Sequence, residues 1–151
     1  MYIYLILLNK NNKNNIMILE VINMNFVWST NEINAAVVSI YETNITLNTT
    51  ACMHFENVNY VLLGIDYENH SIGIKPVGKQ AINEGIYPED QLHKISRGKS
   101  YGRITNKLFI KELADLIPLD FKEKNVYKFK GKYDIVHEVL IVDYEEGKLY
   151  G

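Results

Sequence analysis

Hydrophobic and polar positions alternate with a period of two over several short segments, and a similar order of segments occurs twice along the chain. In each copy a β-like run carrying Thr and Asn leads into a short apolar helix, then a strand, a turn and a second strand. The first copy covers residues 41–77 and the second 101–143. Ahead of the first, residues 26–30 and 35–41 read as short strands separated by the polar Asn31-Glu32 turn. Ile45 and Leu47 flank Thr46. Asn48 or Thr49 then offers a side-chain oxygen to the free amides of a helix running to Phe55. Ala51, Cys52 and Phe55 share one side of that helix, and Asn57 suits a left-handed stop. Residues 60–65 are a near-continuous apolar run, which predicts a strand covered on both faces. A turn follows from Asp66 to His70. The strand returning over 71–77 is expected to lose its pairing at Pro76, which has no amide to donate.

Residues 78–100 change character and read as a connector. One or two helical turns are expected over 79–84. A further helix opens at Pro88-Glu89-Asp90 and runs to Ile95, with Pro in its first turn and acids at the positive end of its dipole. In the second copy, Gly102-Arg103-Ile104-Thr105 leads to Asn106 as a cap. Leu108, Phe109, Leu113, Leu116 and Ile117 then form an apolar helical stripe ending at Pro118. Residues 126–132 predict a strand with Tyr127 and Phe129 on one face and Lys128 and Lys130 on the other. The last strand covers 136–143, followed by a frayed tail at Glu145-Glu146. Aligning the copies sets Ile45 on Ile104 and Thr46 on Thr105. Each unit has an apolar side too large to cover alone, so the two are expected to share one core. The fold class is α+β, mostly β with short helices.

At 151 residues the chain fits one globular domain over 24–151, made of half-units 36–77 and 101–143 joined by the connector 78–100. Hydrophobic content of 47% and charged content of 23% are ordinary for such a domain. A net charge of −2 gives no global attraction to a polyanion, so any such binding must come from a local patch. The single cysteine, Cys52, excludes an internal disulfide, fits a reducing, cytoplasmic setting, and reads as a buried, inert thiol. Residues 1–23 differ from the rest. Their apolar run precedes the Lys- and Asn-rich stretch, the reverse of a signal peptide, and is too short to span a bilayer. They are expected to be a non-native or disordered leader, with an extra edge strand as the other reading. No membrane anchor is indicated.

Ile45-Thr46-Leu47-Asn48, the helix to Phe55, Val61-Leu62-Leu63-Gly64-Ile65-Asp66 and Ile72-Gly73-Ile74-Lys75-Pro76 together resemble the half-unit of the AbrB/SpoVT regulators and antitoxins. Gly102-Arg103-Ile104-Thr105 is similar to that family's habitual opening, with Lys107-Leu108-Phe109 where its helix begins. The resemblance implies a pseudo-twofold swapped-hairpin barrel from two half-units, completed within one chain as in the tandem MraZ type, and a role in DNA binding and transcription regulation. The first copy has Thr43-Asn44 at the Gly-Arg position.

The local charge pattern singles out 93–107. It holds Lys94, Arg97, Lys99, Arg103 and Lys107 without an acid, with Ser96, Ser100 and Thr105 as neutral donors and Tyr101 as a stacking surface. Backbone phosphates call for such groups. These five cations are the expected nucleic-acid contacts. A solvated basic loop, or a face for an acidic partner, is the competing account. Glu89, Asp90 and His93 are too few for a closed metal site, and His54, His70 and His137 are scattered. Neither a nucleophile elbow nor a glycine-rich phosphate loop occurs, so no catalytic residue, metal or cofactor is assigned. An enzyme would need a pocket joining Glu89, Asp90 and His93 to Asp66 or His70. The remaining reading is a protein-interaction or oligomerisation module, which forms dimers through a strand edge in 26–41 or the Tyr127-Phe129 face. Most of the 11 tyrosines, Tyr60, Tyr127 and Tyr133 among them, suit strand packing.

Overall fold

The computed structural model describes residues 35–150, together with Asn25 and the backbone of 6–8 and 16–18. The chain divides into two units, 1–32 and 33–151. In the first, β1 (Ile6–Leu8) and β2 (Ile16–Ile18) pair antiparallel, with Leu7 opposite Met17. Of the leader only these strands are described, and the strand expected over 26–30 lies outside the described residues.

In the second unit the alternating segments become β3 (Val37–Ile40), β4 (Asn44–Asn48), β5 (Tyr60–Asp66), β6 (Ser71–Val77), β7 (His93–Arg97), β8 (Tyr101–Thr105), β9 (Tyr127–Asp134) and β10 (Val139–Asp143). All pair antiparallel, in the order β10-β6-β5-β7-β8-β4-β3-β9, and β9 pairs with β10 to close the ring. The protein is therefore mostly β, an eight-stranded barrel with few short helices. An eight-stranded barrel leaves an interior that side chains can fill. Here Val38, Ile40, Ile45, Leu47, Val61, Ile72, Ile74, Ile104, Phe129, Leu140 and Val142 fill it. Among the described residues no polar side chain is fully buried. Ile45 and Ile104, aligned in sequence, face each other across the β4–β8 ladder.

Two helices leave the barrel at opposite ends. α1 (Thr49–Cys52) follows β4, continues as a 3-10 turn over Met53–Phe55, and buries Ala51 and Phe55. Asn48 caps it by accepting from the Ala51 amide at 3.0 Å, and Asn57 adopts φ 59° after it. α3 (Lys107–Ala114) follows β8, capped by Asn106 accepting from the Phe109 amide at 3.0 Å. Its buried residues are Phe109, Ile110 and Leu113, with Ile117 just beyond, while Leu108 is 78% exposed. The cap at Asn106 sets the helical phase, and that phase puts Ile110 inside where the sequence reading had Leu108. α2 (Lys79–Asn83) lies in the connector.

Other expectations need correcting. The helix expected from Pro88 to Ile95 is only a 3-10 turn, Glu89–Gln91, and His93–Arg97 is a barrel strand between β5 and β8. Partners on both sides satisfy its amides better than a short helix could, so tertiary pairing overrides the local start signal. β5 is not covered on both faces, since Gly64 and Asp66 are exposed. Pro76 ends the pairing with β10, which stops at Ile74, but not that with β5, which reaches Val77. Glu145 and Glu146 form a turn leading into β11 (Lys148–Leu149), which pairs with β9. β3 is paired on both sides, and Tyr127 and Phe129 point into the core, so neither β3 nor the Tyr127-Phe129 face is open for strand-edge or surface assembly. Among the described residues no helix is long and apolar enough to cross a membrane.

Candidate nucleic-acid interface

The segment 93–107 folds as the β7–β8 hairpin followed by the start of α3. Its turn is closed by the Gly98 amide donating to the Tyr101 carbonyl at 3.0 Å, and it is tied to α1 by the Thr49 hydroxyl donating to the Ser100 carbonyl at 3.0 Å. Glycine is required twice here for close approach. A Cβ on Gly98 would lie 2.5 Å from the Tyr101 ring, and one on Gly102 would lie 2.7 Å from the Cys52 sulfur. Tyr101 is thereby held in place, with the Arg103 guanidinium over its ring at 5.6 Å from the centroid.

Alternation places Lys94, Ser96, Tyr101, Arg103 and Thr105 outward, because Ile95, Gly102 and Ile104 face the interior. Register then extends this surface across neighbouring strands. Ser96 lies opposite Arg103, Arg103 opposite Thr46, Thr46 opposite Ser39, and Ser39 opposite Lys128. At ~4.8 Å per strand, Arg103 and Lys128 are about 14 Å apart, with two hydroxyls between them. The Thr46 hydroxyl donates to Asn44 Oδ1 at 3.1 Å. Asn48 stitches β3 to β4, accepting from the Val37 amide and donating to the Ala35 carbonyl. From β7 through β8, β4 and β3 to β9, no carboxylate occurs within the strands before Asp134.

The five expected contacts are all exposed but do not form one cluster. Lys94 and Arg103 lie on this wall. Arg97 is in register with inward-facing Gly102 at the α1 end, where it opposes the rise in the Cys52 pKa that burial causes. Lys99 is in the turn at that same end, and Lys107 begins α3 at the other. Sequence reasoning missed Lys128, Ser39 and Thr46 as parts of the surface. The alternation in 126–132 marked Lys128 as outward-facing, but nothing local says which strands lie beside it.

On the opposite side, Gly64 and Gly73 face each other and floor a groove of about 480 Å³, lined also by Leu62, Lys75, Asp90, Gln91, His93 and Val139. Of the acidic trio considered with His93, Glu89 stands apart, and neither Asp66 nor His70 reaches the groove. Asn106 Oδ1 is occupied by the Phe109 amide, so its Nδ2 donates to His93 Nδ1 at 3.1 Å, and that nitrogen must carry a lone pair. Partial burial also lowers the His93 pKa. Among the described residues no group of three or more His, Cys, Asp or Glu could hold a metal ion. No protein-family model, curated protein or solved structure matches the chain.

Proposed function

We propose that the protein is a small regulator-like DNA-binding protein that holds the phosphate backbone on its five-stranded polar wall. The observation that carries this reading is the outward set Lys94, Arg103 and Lys128, separated by hydroxyls, on strands that hold no carboxylate before Asp134. In a chain of net charge −2, such a segregated patch supplies the local attraction that the whole molecule lacks. Cations and neutral donors of this kind position a nucleic-acid backbone without reading its sequence. Arg97 and Lys99 at one end, and Lys107 at the other, flank a strand that runs past the wall. Such a regulator acts in the cytoplasm, which a lone unpaired Cys52 fits.

The proposal includes kinship to the AbrB/SpoVT swapped-hairpin barrels in their tandem form. The pairings support it. Exchanging β3, β4, β5 and β6 for β7, β8, β9 and β10 turns β3–β4 into β7–β8, β5–β6 into β9–β10, and β5–β7 into β9–β3. It leaves β4–β8 and β6–β10 unchanged. In both halves an asparagine cap opens the helix after the second strand. On this reading the second half-unit begins at His93.

The test is binding of labelled DNA, single- and double-stranded, as salt is raised. Affinity should fall linearly on logarithmic axes with a slope of roughly −2 to −3, as for about three neutralised phosphates. Arg103→Ala with Lys128→Ala should bring the slope to about −1. No binding to either form at low salt ends the reading. The alternative, a protein-interaction or oligomerisation module, draws on Ile135 and Val136, which are 77% and 86% exposed at the tip of the β9–β10 hairpin. Salt-insensitive assembly by light scattering, abolished by Ile135→Asp with Val136→Asp, would favour it.

A further inference from the structure

We infer that the polar wall takes single-stranded nucleic acid in preference to duplex, an inference that rests on the DNA-binding reading and narrows it. Shape argues first. The wall is the outside of a closed barrel, and its cations rise from the strands themselves. α1 and α3 leave at the two ends, so neither stands on the wall as an element to enter a groove. The major groove admits one helix or a two-stranded ribbon at about 12 Å. The row from Ser96 to Lys128 follows five strands around half of the eight-stranded ring, so its side chains fan out over a convex surface and cannot all enter one groove.

Aromatic placement argues next. Tyr101 is 43% exposed, pinned by its contact with Gly98, and carries Arg103 beside its ring. Tyr60 lies opposite Lys94 on β5, and Tyr41 follows β3 at the far end. A ring or a guanidinium plane can stack a base only when that base has left its own helix. In a duplex the bases stack on one another, so their faces are closed to such a ring. Between Tyr101 and Lys128 lie Thr46 and Ser39, with Ser96 beyond Arg103. The Thr46 hydroxyl donates to Asn44 and keeps its lone pairs for an incoming donor. Short hydroxyls of this kind can meet the edges of splayed bases as well as phosphates.

The experiment uses the full chain with a labelled oligo-dT of 12 nucleotides and a 12-base-pair duplex, read by fluorescence anisotropy at low salt. Barrel-type single-strand binders cover about 4–16 nucleotides, so this length suffices. The single strand should bind at least tenfold tighter. Tyr101→Ala should weaken single-strand binding about tenfold and leave duplex binding and the salt slope unchanged, while Tyr101→Phe retains wild-type affinity. Equal or tighter duplex binding overturns the inference, and so does a Tyr101→Ala variant with full single-strand affinity. In either case salt-dependent DNA binding still sustains the broader reading. Failure to bind both forms removes the two together.

Discussion

Outward positions on β7, β8, β4 and β3 are Lys, Arg, Ser, Thr, Asn and Tyr except for Val37, whereas on β5, β6 and β10 they include Leu62, Gly64, Gly73, Val139 and Ile141. Acidic residues also divide between these walls. On the second wall Asp66 accepts from the Glu68 and Asn69 amides and Asp143 from those of Glu145 and Glu146. At the seam Asp134 accepts from those of Val136 and His137. Each of these carboxylates is occupied in shaping a turn. The first wall makes its β7–β8 turn with Gly98 and leaves its cations unopposed within the strands. Both walls bury apolar residues at alternate positions in the middle of their strands, with His93 and Arg97 at the ends of β7 departing from the pattern. The outside is free to differ, and the difference is where function can be carried.

The comparison breaks if the walls do not share one interior. Phe129 and Leu140 are both fully buried, on β9 and β10. Phe129→Ala should cost about 3–5 kcal/mol and Leu140→Ala about 2–5 kcal/mol. Each variant should unfold in urea as a single transition. Two separated transitions would show that the walls fold independently.

The asparagine caps sharpen it. Asn106→Ala removes a helix cap and the bond to His93 Nδ1, together about 2 kcal/mol. Asn48→Ala removes a cap and also the bonds to the Val37 amide and the Ala35 carbonyl that join β3 to β4. It should cost about 3 kcal/mol, at about 1 for the cap and about 1 for each further hydrogen bond. Equal losses in paired urea titrations would mean that the stitch across the polar wall contributes nothing.

A smaller effect separates the walls by pH. Hydrogen bonds from Asn69 and from His137 hold the Asp66 and Asp134 carboxyls below their ordinary values. A folded pKa below the unfolded one gives stability that is present above the unfolded value, about 3.9, and lost as pH falls through the folded value. Protection factors of the Asn69 and His137 amides, taken against intrinsic exchange at each pH, should therefore fall in acid, while those of Arg103 and Thr46 do not follow these carboxyls. Burial gives His93 a lowered pKa too. Its contribution is full above about 6.5 and declines as pH falls below it, so it responds before the carboxylates. NMR titration of the His93 ring and of these amides checks the order.

Much of this architecture was legible locally. The Asn48 and Asn106 caps, the Asn57 stop and the alternation in β4, β8 and β9 all follow from side-chain chemistry within a few residues. β7 was not, because Pro88-Glu89-Asp90 carries a helix-start signal and the pairing on one side of β7 comes from β5, distant in the chain. The Glu145-Glu146 turn was also hidden. It depends on Gly147, where a Cβ would sit 2.5 Å from the Asp143 carbonyl oxygen. The candidate surface was half visible. Arg103 and Lys94 stand out in a basic segment, but Lys128 joins them only through three strand registers.

The most direct test reverses charge on the polar wall and away from it. Arg103→Glu with Lys128→Glu is compared with Lys79→Glu with Lys122→Glu, a pair of exposed lysines outside the barrel strands. Both variants change net charge equally, and binding to the 12-nucleotide oligo-dT is read at about 0.1 M salt, where the screening length is about 10 Å. The first variant should lose binding and the second should stay within about twofold of the unaltered chain, since a distant exposed charge is largely screened. Equal weakening by the two pairs would contradict a segregated binding wall.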